Sequence, residues 1–332
     1  MSLNVLITAG SRRVPLVQAF QRALRATGGG AVIVTDVNPL SPTVYVADLS
    51  YPAPLSTDPS YLDVVLDICA KERVGLVIPT IDDELPVFAA ATTRFAARGI
   101  RVAVSPTTAV DTCNDKFLTW QHLSRLGLPV VETYLPSQLP ADAPFPLFIK
   151  PRTGRGGVGA FPVRNTRELD FFLQYVPDPV LQPFLHGQEF TIDVLADFDG
   201  RVLSSVPRER VVIRAGVVDR GRTVRDPDLI ELGRATAEAL GAVGPINVQC
   251  RMVHGVPQIF EINPRFSGGI PLTIAAGADF PRALVQMTRG RRAELGMGQF
   301  QDGLWMTSYE TSVFVAEASI GFSPKRLIWE VA

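Results

Sequence analysis

The sequence predicts a doubly wound α/β domain followed by α+β blocks, and three features carry that prediction. Short apolar runs alternate with amphipathic helices up to about residue 105. Beyond that point, strands bracket a glycine-rich turn and then an arginine-rich hairpin. The last block ends in the strand FEINP, where polar residues replace apolar ones on one face.

In order, LNVLIT, AVIVTD, GLVIPT and RVAVS read as strands, and VPLVQAFQRAL, YLDVVLDICAKERV and LPVFAAATTRFAARG as helices. Strand, helix, strand in succession makes a parallel sheet covered on both faces. Ligands meet such sheets at the carboxyl ends of the strands. Those ends carry Ser11 and Arg12, Asp36 and Asn38, and Asp82, Asp83 and Glu84. Two readings stand for these acids: a site for a substrate amine, or helix caps and first-turn acids.

TTAVDTCNDKFLTWQHLSRLGL reads as one helix leading to the second block. There PLFIKP is a strand, RTGRGGVG a glycine turn, GAFPV the returning strand, RELDFFLQYV a helix and VLQPFL a further strand. The third block opens with a hairpin at DFDG and runs through SVPRERVVIRAGVVDRGRTVRD. Asp226 then caps a helix with Pro227 in its first position. INVQCRM and PQIFEINP are its closing strands. The Pro-rich PSQLPADAPFP reads as a hinge edge, and the segment from Gly303 onward as either a packing strand or a homodimer contact.

Composition excludes several classes. A formal net charge of −1 gives no general attraction to nucleic acid or an acidic membrane. No apolar run approaches the roughly 20 residues that span a bilayer, and no signal peptide is read at the start. Cys69, Cys113 and Cys250 stand far apart, which argues against a disulfide framework and for a cytoplasmic location. Scattered His122, His186 and His254 argue against a His-ligated metal.

The chemistry concentrates in the later blocks. Glycines between two strands expose backbone N–H groups that can ring a phosphate, and Lys150, Arg152 and Arg155 stand beside them to neutralise it. A solvent-facing glycine hairpin is the alternative. Lys116 and Lys150 each lie at a block edge, Lys150 directly after the apolar PLFI. Glu261 and Asn263 share one strand face about 7 Å apart. With Gln249 on the preceding strand they offer only oxygen, which selects Mg2+ or Mn2+. A plain two-residue turn at His254–Gly255 would set Gln249 opposite Phe260, so the shared face requires an odd loop or a bulge. Arg265 could stabilise a phosphoryl group in flight or simply pair with Glu261. Of Arg208, Arg210, Arg214, Arg220 and Arg222, one or two are candidates to clamp a carboxylate.

This order of elements, two lysines, a glycine loop, VLQPFL, QEFTIDV, NVQ and FEINPR, resembles the ATP-grasp superfamily, and most of all the synthetase halves of the carbamoyl-phosphate synthase large chain. The resemblance covers about residues 1 to 290 and implies an ATP-grasp fold behind a Rossmann-like, pre-ATP-grasp domain. It divides the chain into residues 1–112, a small central subdomain at 113–185 and a C-terminal subdomain with the metal site at 186–332. It implies that Lys116 and Lys150 contact ATP phosphates under a closing loop of Gly154, Gly156 and Gly157. Gln182 to Leu185 would meet adenine and Glu189 the ribose. Gln249, Glu261 and Asn263 would hold two Mg2+, with Arg265 and Lys150 at the γ-phosphate. Gln182 stands where many relatives have an acid, and Pro183 removes an N–H, so the adenine contact departs from the pattern. The implied activity is ATP-dependent ligation of a small carboxylate to an amine, with amino-acid or peptide-like substrates. Two further readings are a nucleotide-binding sensor without catalysis and an NAD-binding oxidoreductase. TAGSRR lacks the glycine spacing of the latter.

Overall fold

The computed structural model describes residues 2–154, 156–214 and 216–322. Arg155 of the glycine turn and residues 323–332 lie outside the described residues.

The first domain is a five-stranded parallel sheet in the order β3-β2-β1-β4-β5. Its strands are β1 (Asn4–Ile7), β2 (Val32–Asp36), β3 (Leu49–Pro52), β4 (Val74–Ile78) and β5 (Arg101–Val102), and its helices α1 (Val14–Thr27), α2 (Thr43–Val46), α3 (Tyr61–Lys71) and α4 (Leu85–Ala96). Periodicity identifies the long helices because their buried faces recur every three to four residues, as with Leu16, Val17, Phe20, Ala23 and Leu24 of α1. It misses α2 and β3. Both are four residues long, and β3 is an edge strand ending in Pro52 that pairs with β2.

The helix expected after this domain is two helices, α5 (Thr107–Asn114) and α6 (Lys116–Arg125). The break is Asp115, extended at φ −105° and ψ 109°, whose carboxylate accepts from the N–H groups of Phe117 and Leu118 and so caps α6. Arg152 also pairs with this carboxylate at 2.7 Å. Lys116 therefore opens a helix instead of lying inside one.

A small antiparallel sheet, β7-β6-β8, follows from β6 (Leu147–Pro151), β7 (Phe161–Val163) and β8 (Pro179–Pro183), with α7 (Thr166–Tyr175) packed on it. The third block is a six-stranded antiparallel sheet, β13-β12-β9-β10-β11-β14. Its strands are β9 (Glu189–Ala196), β10 (Val202–Arg214), β11 (Val217–Thr223), β12 (Gly244–Val253), β13 (Val256–Asn263) and β14 (Trp305–Thr307). One face carries Phe190, Ile192, Val194, Ile246, Val248, Cys250, Ile259 and Ile262, buried against α8 (Pro227–Leu240). Asp226 caps α8 with Pro227 in its first turn, and Gly241 ends it in the left-handed region at φ 60°. α9 (Ile270–Ala275) and α10 (Phe280–Thr288) return the chain to the first domain, where α10 packs on α1 in a core shared by Phe20, Leu24, Phe280 and Leu284. The segment after Gly303 supplies β14, paired with β11. Among the described residues, no helix is long and apolar enough to cross a membrane.

Candidate active site

The polar face of the six-stranded sheet is built by register. Gln249 pairs with Glu261 and Asn247 with Asn263 across β12 and β13, while Thr191 of β9 pairs with both Gln249 and Arg208. Cross-strand partners share a face, so these side chains form one polar surface opposite the apolar one. The turn between β12 and β13 is a tight one, with Val253 paired to Val256, and the parity it sets is reversed by a bulge at Phe260. Cys250 pairs with Ile259 and Gln249 with Glu261, leaving Phe260 as the extra residue. The bulge required for Gln249 to face Glu261 is therefore present.

This surface floors a cleft of about 430 Å3. Lys116, Lys150, Gly154, Gly156, Gly157, Gln182, Leu185, Glu189, Gln249, Glu261, Asn263 and Arg265 all line it. Its lining carries the cations Arg13, Lys116, Lys150, Arg208, Arg210, Arg251 and Arg265 against two carboxylates, Glu189 and Glu261.

Lys150 is only 6% exposed. Its Nζ donates to the Phe260 carbonyl at 3.1 Å and lies 5.7 Å from the centre of the Phe260 ring, so the bulge residue seats it. Burial lowers its pKa to about 8, against the opposing pull of Glu261 and with the help of Lys116. Lys116 is shifted down for the same first reason, burial, with Glu261, Asp115 and Asp82 opposing. Its Nζ donates to the carbonyl of Gly154 at 3.1 Å, which ties the start of α6 to the glycine loop. Four loop glycines, 154, 156, 157 and 159, adopt φ between 67° and 111°, a region that side chains resist.

Gln182 is buried, its Nε2 donating to Thr133 Oγ1 at 2.9 Å. Glu189 accepts from Arg210 at 2.9 Å and from Arg251. Gln249 Oε1 accepts from Arg210 Nη1 at 3.1 Å. Burial lowers the pKa of Arg210, opposed by Glu189. Asn263 Nδ2 donates to Asn247 Oδ1 at 3.4 Å, and its Oδ1 accepts from Arg265 at 3.2 Å. Glu261 alone among these polar groups has no hydrogen-bond or ion-pair partner among the described residues. An uncommitted carboxylate beside amide oxygens, facing two lysines, is a donor set that suits a hard cation. No group of three or more His, Cys, Asp or Glu that could hold a metal occurs among the described residues.

Two expectations are corrected. Arg265 does not pair with Glu261. Its Nε and Nη2 both reach Asp82 Oδ2, at 3.1 and 2.8 Å, across the junction with the first domain. Of the strand-end acids, Asp36, Asp82 and Glu84 are also not open to a substrate amine. Asp36 accepts from the N–H groups of Ser11 and Asn38, and Asp82 holds Arg265. Glu84 accepts from Tyr61 and the N–H groups of Thr80 and Ile81, and burial raises its pKa. Of the arginines considered as carboxylate clamps, Arg208 is buried and held by Asp193 and Ser267 Oγ, Arg222 pairs with Glu209, and Arg214 and Arg220 do not line the cleft. Sequence reasoning missed Arg13 and Arg251 in the cleft lining, and no local pattern marks either.

Two family models match this chain: a PylC-like N-terminal domain over residues 5–103, and "ATP-grasp in the biosynthetic pathway with Ter operon" over residues 175–311. The carbamoyl phosphate synthase large chain of Thermus thermophilus is 27% identical over 279 residues, 76% of this chain and 26% of that protein. The chain thus spans about a quarter of the length of this curated relative. Among solved structures, the biotin carboxylase domain of Hydrogenobacter thermophilus 2-oxoglutarate carboxylase, in complex with MgADP, ADP and bicarbonate, superposes with a TM-score of 0.73. The match is 17% identical and covers 92% of this chain and 74% of that one. The L-amino acid ligase of Bacillus licheniformis gives 0.65 at 22% identity, covering 86% and 74%. With parallel and antiparallel sheets arranged as described, the chain has the fold of the ATP-grasp structures it superposes on, and its ATP-grasp-like segment at 175–311 follows a segment similar to a PylC-like N-terminal domain at 5–103.

Proposed function

We propose that the protein is an ATP- and Mg2+-dependent ligase that activates a substrate carboxylate as an acyl phosphate for attack by an amine, with amino-acid or peptide-like substrates. The observation that carries this reading is the cleft itself: a lining dominated by cations, with one uncommitted carboxylate, Glu261, among amide oxygens. Bringing a carboxylate to a triphosphate sets anion against polyanion, and catalysis is then chiefly alignment and charge neutralisation.

In this reading Lys116 and Lys150 bind the phosphates, the glycine loop covers them and excludes water, and Leu185 and its neighbours receive the base. Glu189, held by two arginines, is positioned for the ribose. Gln249, Glu261 and Asn263 would hold Mg2+, which supplies neutralisation of phosphate charge. Arg265 orients the γ-phosphate. Substrate carboxylate oxygen bonds to γ-phosphorus as ADP departs; the amine nitrogen then bonds to the acyl carbon, phosphate departs, and the amine loses a proton.

The test is Mg2+-dependent release of ADP and phosphate across pooled amino acids, dipeptides and small carboxylic acids. Release that requires two compounds together supports ligation. Nucleotide binding without release in any pool would replace the ligase with a sensor.

A further inference from the structure

Where the cleft meets the first domain, Arg13, Arg265, Ser267, Gly268, Val217 and Val218 line it. Arg13 stands apart electrostatically. Among the described residues, every other arginine in the lining has a carboxylate within salt-bridge distance: Arg208 has Asp193, Arg210 and Arg251 share Glu189, and Arg265 has Asp82. Among the described residues the hydrogen-bond partners of Arg13 are main-chain carbonyls. Its Nη1 donates to the Phe266 carbonyl at 3.1 Å and its Nη2 to that of Thr80 at 2.7 Å. These contacts fix the guanidinium between the first domain and the loop after β13, and use two of the five N–H groups a guanidinium offers. Burial and the neighbouring charge of Arg265 lower its pKa to about 10, with Asp82 and Glu84 opposing. A partly buried cation with no carboxylate in salt-bridge contact is costly, and an arriving anion that makes such contact relieves the cost.

Resting on the ligase reading above, we propose that Arg13 anchors the carboxylate that is to be phosphorylated, holding it next to Arg265. Arg265 is already committed to Asp82, Asn263 Oδ1 and the Phe266 carbonyl, so most of its fork is occupied before a substrate arrives. Arg13 supplies the fork that Arg265 lacks. Val217 and Val218 make the adjoining wall apolar, which fits a carboxylic acid with an apolar body.

The experiment loads the whole protein with Mg2+ and the non-hydrolysable analogue AMP-PNP. Standard L-amino acids, dipeptides and short monocarboxylic acids are titrated one at a time by calorimetry, with inorganic phosphate on the MgADP complex as a separate arm. At least one carboxylate is expected to bind, and Arg13→Gln to weaken it by about tenfold or more, as for loss of a charge-assisted pair. AMP-PNP and phosphate binding should stay near wild type. Arg13→Lys keeps the charge but not the fork and should fall between the two. It also carries the test if Arg13→Gln does not fold, since equal carboxylate binding by Arg13→Lys and wild type would overturn the fork. The proposal also falls if carboxylates bind Arg13→Gln as tightly as wild type, if none binds the loaded wild type, or if phosphate alone is weakened. Failure of AMP-PNP itself to bind would remove the ligase reading, and this proposal with it, whereas the other outcomes remove only the role of Arg13.

Discussion

Lys150 shows how a single residue's surroundings set its chemistry. PLFIK places a lysine at the end of a buried strand, and that much is legible in the sequence. Its pKa near 8 is not, because the cause is burial against a bulge from a distant strand. With a folded pKa of about 8 against an ordinary 10.5, the unfolded chain holds more protons between those values, so this group's penalty on stability fades as pH rises through that window. Nucleotide binding has the opposite sign, since phosphates favour charged Lys150. ATP binding at about pH 9 is expected to take up a proton, seen as a buffer-dependent binding enthalpy, and Lys150→Met should abolish the uptake and weaken ATP by roughly tenfold. At Glu261 the expectation is loss of Mg2+-dependent ADP formation in Glu261→Gln with an unchanged melting temperature; wild-type turnover would remove the metal role. Both residues are visible in the sequence as polar exceptions to strand alternation, whereas Arg13 looks like one more residue before a helix.

Among the elements, the hairpin of β12 and β13 carries the clearest lesson. Parity shows that a tight turn and a shared Gln249–Glu261 face cannot coexist without an odd residue, and the structure resolves this with the bulge at Phe260. Deleting Phe260 should leave the ladder in register, since Ile259 and Glu261 then alternate normally. It would remove the carbonyl and ring that seat Lys150. The expected result is a folded protein with weakened ATP binding, and a protein that fails to fold would show the bulge to be structural instead. Gly269 is a second such point, because a Cβ there would come within 2.3 Å of Arg208 Nη1 and 2.5 Å of Val218 Cγ1. Gly269→Ala is therefore expected to destabilise by about 1–3 kcal/mol, measured by denaturant unfolding. The split between α5 and α6 escaped sequence reading because the helical period runs through Asp115 unbroken; the cap and the pull of Arg152 on the same carboxylate decide it.

For the whole molecule, the distribution of core decides which parts can move. The first domain and the six-stranded sheet share one core through α1 and α10, whereas the small sheet has its own, smaller apolar cluster around Leu147, Ile149, Val163, Val176 and Leu181. Amide exchange should accordingly be fastest in β6, β7 and β8 and slow on adding ATP and Mg2+; uniform exchange across all three sheets would contradict this. The sequence by itself determined the alternation of strands and helices, the glycine loop, the lysines and the acidic strand, because periodicity and side-chain chemistry are local. Only the tertiary structure decided that Arg265 answers to Asp82 and that Arg13 faces the cleft. Those pairings join residues from separate domains, and the charge that results at each depends on burial, which no stretch of sequence contains.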